Sequence, residues 1–221
     1  MISMLRITLV AVLAMCASMT AWARHRHHPS IAAPGEFDYY VLSLSWSPAF
    51  CLQSPNAAQC NGPRHYGFIV HGLWPQNEHG WPQDCAGGQV PDSVAQGIAD
   101  LMPARNLVNH EWSTHGSCSG LDPAHYFSLV RHAYASVTVP PSFSQPGGPI
   151  ERPPSSIATE FLRLNPNLPP QSAVVTCSGQ ATPRLREVHL CFSRDLAPRA
   201  CSADEQRQAC RAPSVIVSPI R

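Results

Sequence analysis

The alternation of apolar and polar positions divides this chain into short strands and short helices. Phe37–Trp46 (FDYYVLSLSW) is aromatic and β-branched with partial alternation, which predicts a strand. Tyr66–Val70 is a short apolar run suited to a buried strand, and it gives way to a turn at His71, Gly72 and Pro75. Val94, Ile98, Leu101 and Met102 fall at helical spacing behind Pro91-Asp92, which predicts an amphipathic helix over Pro91–Met102. Asp122-Pro123 is an N-cap followed by proline at the first helical position, and Phe127, Val130 and Tyr134 continue it as an apolar stripe. Ser156–Leu164 reads as another short helix, with Ile157, Phe161 and Leu164 on one face and Glu160 available for capping. Val174–Cys177, Leu185–Phe192 and Val215–Val217 read as strands. In the second of these Val188, Leu190 and Phe192 face one way, and Glu187, His189 and Cys191 the other.

The segments between are turn-rich. Ser47–Pro63 reads as a loop that a disulfide between its own Cys51 and Cys60 could close, Gln76–Val90 as a loop carrying Cys85, and Ser136–Pro154 as a long surface loop. No internal repeat or second domain is visible. The mixture predicts a single α+β domain, a central antiparallel-leaning sheet with helices packed against it, stapled by disulfides.

The first residues read as a targeting signal. Met1–Arg6 carries one arginine, Ile7–Cys16 is almost wholly apolar, and Ala21-Trp22-Ala23 supplies a cleavage site, so residues 1–23 are expected to be removed. Residues 24–34 (RHRHHPSIAAP) read as a disordered leader, in which His25, His27 and His28 fit a solvated tail better than a metal site, and 35–221 as the domain. No later run approaches the roughly 18 apolar residues of a spanning helix. The expectation is an exported protein, periplasmic or extracellular, with no membrane attachment after cleavage.

Export changes how the cysteines are read. Of the 9 cysteines Cys16 leaves with the signal, and an even set remains: Cys51, Cys60, Cys85, Cys118, Cys177, Cys191, Cys201 and Cys210. Eight cysteines allow about 105 pairings, and spacing does not choose among them. The chain has no lysine, and loss of Arg6 leaves 14 arginines against 14 acidic residues. A balance near zero gives no charge argument for nucleic-acid binding, although the 11 histidines would hold a polyanion better below about pH 6.

Candidate chemistry concentrates in His110-Glu111-Trp112-Ser113-Thr114-His115-Gly116-Ser117-Cys118. A helical zinc site needs its histidines four apart, whereas His110 and His115 are five apart, about 100° further round a helix. The run therefore reads as a proton-transfer or anion-binding cluster. His71, leaving a buried strand at a Gly/Pro turn, is well placed for a site, although a lone histidine there is more often structural and Trp74 by itself more often core.

Two stretches, Phe68-Ile69-Val70-His71-Gly72-Leu73-Trp74-Pro75 and His110–Cys118, resemble the two active-site segments of the ribonuclease T2 family. The likeness extends to Ser45-Trp46, Phe50-Cys51 and the tail Leu185–Cys191, and so covers most of the domain. It implies an endoribonuclease cleaving single-stranded RNA through a 2′,3′-cyclic phosphate without metal or other cofactor. By motif position His115 is the base, His71 the acid and Glu111 the orienting group, although sequence alone leaves open which histidine plays which part. His110 and Thr114 fall at phosphate-binding positions, Trp74 at the base-stacking position, and Gln76 where some relatives carry a base-reading acid. Low base specificity and a monomer with no obligate protein partner are the corresponding expectations. The same resemblance implies disulfides Cys51–Cys60, Cys85–Cys118, Cys177–Cys210 and Cys191–Cys201.

One departure bears on rate. The family pattern Glu-x-x-Lys-His has lysine where this chain has Thr114. Loss of one preorganised charge donor costs about 10²- to 10³-fold in comparable sites, with protonated His110 or Arg105 as candidate substitutes. The competing readings are a catalytically impaired RNA-binding or interaction module, which rests on Thr114 alone, and a metal-dependent hydrolase, which rests on the histidine count.

Overall fold

The structure is a computed structural model and describes residues 33–144, 147–179 and 181–220. The expected signal, and all of the leader but Ala33 and Pro34, lie outside the described residues. In chain order the elements are β1 Tyr39–Trp46, α1 Ser47–Gln53, α2 Ala58–Asn61, β2 Phe68–Gln76, α3 Asp92–Gly97 and α4 Arg105–Thr114. They continue with α5 Pro123–Ala135, β3 Ile150–Arg152, α6 Pro154–Leu164, β4 Ala173–Cys177, β5 Leu185–Ser193, α7 Ala203–Gln206 and β6 Val215–Val217. Single 3₁₀ turns cover Gly116–Ser119 and Pro141–Phe143.

Four strands form an antiparallel sheet in the order β2-β1-β5-β4, and β3 pairs with β6 in a separate two-stranded ribbon. The alternation in β1 and β5 decides the two faces of the sheet. Tyr40, Leu42, Leu44 and Trp46 join Val188, Leu190 and Phe192 in the main core, closed by Trp112 of α4, Tyr126 and Val130 of α5, and Ile157 and Phe161 of α6. Each such side chain contributes about 1.5–3 kcal/mol on burial. The other face carries a smaller cluster, Tyr39, Val41, Val174, Cys191 and Cys201, with Trp74 against it. This thinly covered face holds the polar side chains of β2 and β5.

Several expectations are corrected. The stretch Ser47–Pro63 is not a plain loop but two short helices, α1 and α2, bridged by Cys51–Cys60; Pro48 fits the first turn of α1, where its missing N–H costs nothing. β2 does not stop at His71: it runs on through Gly72 and Pro75 to Gln76. Pro75 is tolerated because β2 is an edge strand, with one row of N–H groups free of the ladder. The helix expected over Pro91–Met102 closes at Gly97 and continues as turns, with Ile98 and Met102 still buried. There the Leu101 carbonyl accepts the Val70 N–H at 3.0 Å, so the unwound segment satisfies the open edge of β2.

Within Ser136–Pro154 the chain buries Phe143 and forms β3. Glu160 does not cap its helix; it accepts from Arg152 at 2.7 Å and from Ser142 at 2.9 Å. The helix α4 had no sequence expectation at all. Its buried positions are Val108, Glu111 and Trp112, a stripe interrupted by a carboxylate. The remaining disulfides are Cys85–Cys118, Cys177–Cys210 and Cys191–Cys201. Among the described residues no helix is long and apolar enough to cross a membrane.

Candidate active site

The site begins with an irregularity in β2. Ser43 of β1 faces Gly72 and Leu44 faces Val70, so His71 is an extra residue in the edge strand. In a regular strand residues three apart point to opposite faces. Across this bulge Val70 and Leu73 both enter the main core, and His71 and Trp74 both emerge on the other face, ring centroids 5.3 Å apart. Re-aiming side chains in this way is a common use of bulges. Gly72 sits between them, and a Cβ there would overlap Glu111 Oε2 and Trp74 Nε1.

Helix α4 brings the second group of residues. Glu111, only 1% exposed, accepts from Trp74 Nε1 at 2.6 Å through Oε2 and lies 3.3 Å from His71 Nε2 through Oε1. His115 ends the helix, its N–H returned to the Glu111 carbonyl at 3.0 Å, and its ring leans on Trp74 with centroids 5.2 Å apart. The chain then turns sharply at Gly116, where a Cβ would come within 2.8 Å of Trp112 and 2.7 Å of Tyr126. Cys118 follows in the buried 3₁₀ turn, bonded to Cys85.

Other nominated residues fall around this centre. His110 is exposed on α4 and shares with His71 the wall of a groove of about 650 Å³, together with Phe50, Asn106, Leu107 and Arg186. Thr114 is half-buried in the last turn, its carbonyl accepting the Asp84 N–H at 2.8 Å. Gln76 ends β2 opposite Tyr39 with its side chain largely buried, and its carbonyl accepts the Asp38 N–H at 2.8 Å. Trp74 is half-buried and meets a third imidazole, that of His189, edge-on at 5.3 Å. Arg105 is turned elsewhere: it binds Asp92 at 2.8 Å, the Val90 carbonyl at 2.8 Å and Asn109 at 3.1 Å. It is no substitute for the absent lysine.

Three site residues escaped the sequence reading. Glu187 of β5 meets His71 Nδ1 through Oε1 at 2.6 Å and His189 Nε2 through Oε2 at 3.0 Å, and Glu205 of α7 meets His189 Nδ1 at 2.6 Å. The available signal was two ionisable residues, Glu187 and His189, on the non-core face of an otherwise apolar strand. Glu205 gave none, because only the fold brings it there.

These contacts separate the two central histidines. Burial pushes the His71 imidazole down, but its hydrogen bonds to Glu111 and Glu187, with their charges, reverse this and raise it from 6.5 to about 10. His189 follows the same course to about 9: burial lowers it, and Glu187 and Glu205 raise it further. Burial would raise the Glu187 carboxyl, yet His189 and His71 hold it far below the usual carboxylate range. His115 goes the opposite way. Burial depresses it, Glu111 offsets that only partly, and the nearby positive charge of His71 and His110 depresses it further. Its Nδ1 is buried with no hydrogen-bond partner among the described residues. The two imidazoles are thus shifted in opposite directions, one held protonated and the other favoured neutral, and both pack against one indole.

Known proteins share this arrangement of chain. The sequence is 30% identical over 204 residues to a ribonuclease of Aeromonas hydrophila, covering 85% of this chain and 88% of that protein. Among solved structures, an RNase-related protein from Calystegia sepium superposes with a TM-score of 0.66 at 22% identity, covering 84% of this chain and 98% of that one. Ribonuclease MC1 from the seeds of bitter gourd superposes at 0.60 with 21% identity, covering 73% and 92%. A sequence model of the Ribonuclease T2 family matches residues 37–201, which take in His71, Glu111 and His115 together, and the chain belongs to that family.

Proposed function

We propose that this protein is an endoribonuclease that cleaves single-stranded RNA by metal-independent acid-base transphosphorylation. The observation that carries the reading is the opposed proton affinity of His115 and His71 on either side of Trp74, with Glu111 reaching both His71 and the indole. His115, neutral, takes the proton of the 2′-hydroxyl. The 2′-oxygen attacks the adjacent phosphorus, the bond from phosphorus to the 5′-oxygen breaks, and His71 supplies the proton that the departing oxygen needs. The product is a 2′,3′-cyclic phosphate, and its hydrolysis reverses the two roles. Each positioned acid or base contributes about 10²- to 10⁴-fold.

Around this centre Glu111 orients His71, and exposed His110 meets the phosphate with Thr114 one turn further along α4. Trp74 offers the exposed part of its face to a base, in the way single-stranded RNA is generally held. Gln76 presents a mostly buried neutral amide where a base-reading acid would carry charge, which favours low base specificity. The four disulfides suit an oxidising compartment, extracellular or periplasmic, and the protein acts as a monomer without an obligate partner. An impaired binding module finds no support in a site whose acid, base and carboxylate converge.

The test is cleavage of mixed-sequence single-stranded RNA in EDTA, scanned from about pH 4 to 8. The expected result is cyclic-phosphate formation that His71→Ala and His115→Ala each abolish, with an acid limb set by His115 below its ordinary 6.5. A wild type that binds RNA without cutting it, or one that EDTA silences, overturns the reading.

A further inference from the structure

Behind His71 the sheet carries ionisable side chains that the two proton transfers do not use. Glu187 and His189 project from the non-core face of β5, and Glu205 closes the row from α7, the three being 5%, 5% and 7% exposed. Charges so far from water are tolerated only when paired and hydrogen-bonded on each side, and here they alternate from Glu205 through His189 and Glu187 to His71. The far end is fixed as well. Ser202 caps α7 by accepting the Glu205 N–H at 3.2 Å, and its hydroxyl shares a hydrogen bond with Tyr39 at 2.9 Å.

The two nitrogens of His71 are held unequally. Nδ1 meets Glu187 at 2.6 Å, a short charge-assisted bond, whereas Nε2 has only the 3.3 Å approach to Glu111. Nδ1–H is committed to the sheet, and Nε2–H is the proton that substrate can draw away. We infer that Glu187 is a positioning residue for the proton donor, fixing the His71 ring through Nδ1–H so that Nε2–H is aimed at the departing 5′-oxygen, with His189 and Glu205 locking Glu187 from behind. When His71 gives up the Nε2 proton it passes from cation to neutral imidazole and still donates Nδ1–H to Glu187, so no proton has to travel along the row. The other charged or titratable groups near this point are Glu111 on α4, neutral His115 across Trp74, and the exposed Arg186, whose guanidinium lies 4.0 Å from Glu187.

The inference rests on His71 being the acid, and the experiment separates the two claims by leaving group. The full chain is assayed in EDTA on uridylyl-3′,5′-adenosine, whose alkoxide leaving group needs a proton, and on uridine 3′-(4-nitrophenyl phosphate), whose phenolate does not. Glu187→Gln is expected to lose about 10²-fold or more in kcat/KM on the dinucleotide, to keep most of its activity on the aryl ester, and to bring the alkaline limb of the dinucleotide profile to lower pH. Glu205→Gln, remote from substrate, is expected to show the same signature more weakly, and it decides the matter should Glu187→Gln not fold. Equal losses on both esters with an unmoved alkaline limb, while His71→Ala still spares the aryl ester, overturn the positioning role alone. Equal losses from His71→Ala itself overturn the assignment of His71 as acid, and the inference with it.

Discussion

His71 and Trp74, three residues apart in one strand, meet edge to face at 5.3 Å on the same side of the sheet. The bulge at His71 makes this possible, and Gly72 inside it keeps the space where Glu111 reaches both rings. Gly72→Ala places a methyl group against Glu111 Oε2 and Trp74 Nε1, neither of which can retreat far into a packed interior. The expected outcome is destabilisation of about 1–3 kcal/mol and loss of about 10²-fold in kcat, read by calorimetry and single-turnover cleavage. A variant with an unchanged melting point and turnover would show that the contact carries no function.

Thr114 stands in the last turn of α4 with its carbonyl pinned by Asp84, and Arg105 is occupied by Asp92 and Val90. A lysine at this position would extend from a helix C-terminus, where positive charge is favoured, on the same helix as the proposed phosphate contact His110. Thr114→Lys is expected to raise kcat about 10²- to 10³-fold with a smaller change in KM. Unchanged turnover would mean that the missing lysine costs this enzyme nothing.

How much of this was legible in the sequence depends on how local the cause is. The faces of β5 followed from alternation alone, the existence of β1 from its aromatic and β-branched run, and the start of α5 from Pro123 behind Asp122, whose side chain does accept the His125 N–H at 3.0 Å. α4 was hidden because its inward stripe contains Glu111, a residue that periodicity counts as polar and that only the site explains. The bulge at His71 was illegible for the same reason: it exists only in the register with β1, and the run Phe68–Gln76 by itself reads as a strand ending in a turn. Glu187, His189 and Glu205 illustrate the limit. Their spacing of two on β5 indicated a shared face, but nothing short of the fold brings Glu205 beside His189.

Stability is expected to fall on both sides of a mildly acidic plateau. His71 and His189 are held protonated to about 10 and about 9 against an ordinary 6.5, so their contribution is complete below pH 6.5 and is lost as pH rises through those values. Glu187 is depressed below its ordinary 4.5, so its contribution is present above that pH and lost only in strong acid. The melting temperature should therefore decline steadily from pH 6.5 to 10, and His189→Asn should flatten that decline while lowering the whole curve. A melting temperature that stays level to pH 10 in the wild type would show that these imidazoles are neutral in the folded protein.

Cys85–Cys118 joins the loop after β2 to the 3₁₀ turn that follows His115, across a sequence separation of 33. Around it the backbone is tied twice more, Asp84 N–H to the Thr114 carbonyl at 2.8 Å and Gly35 N–H to the Cys118 carbonyl at 2.9 Å. The disulfide thus fixes where α4 ends, and with it the position of the His115 ring against Trp74. The paired substitution Cys85→Ala and Cys118→Ala is expected to cost about 2–5 kcal/mol. It should also lower kcat more than KM, since His115 loses its placement while the groove by His71 and α1 is untouched. Cys51–Cys60 closes a loop of separation 9 beside the Ala49 and Phe50 wall of that groove, and Cys51→Ala with Cys60→Ala, which opens it, should change KM more than kcat. Denaturant titration and steady-state kinetics on the two variants would show the contrast, and matching kinetic profiles would sink the idea that Cys85–Cys118 positions His115.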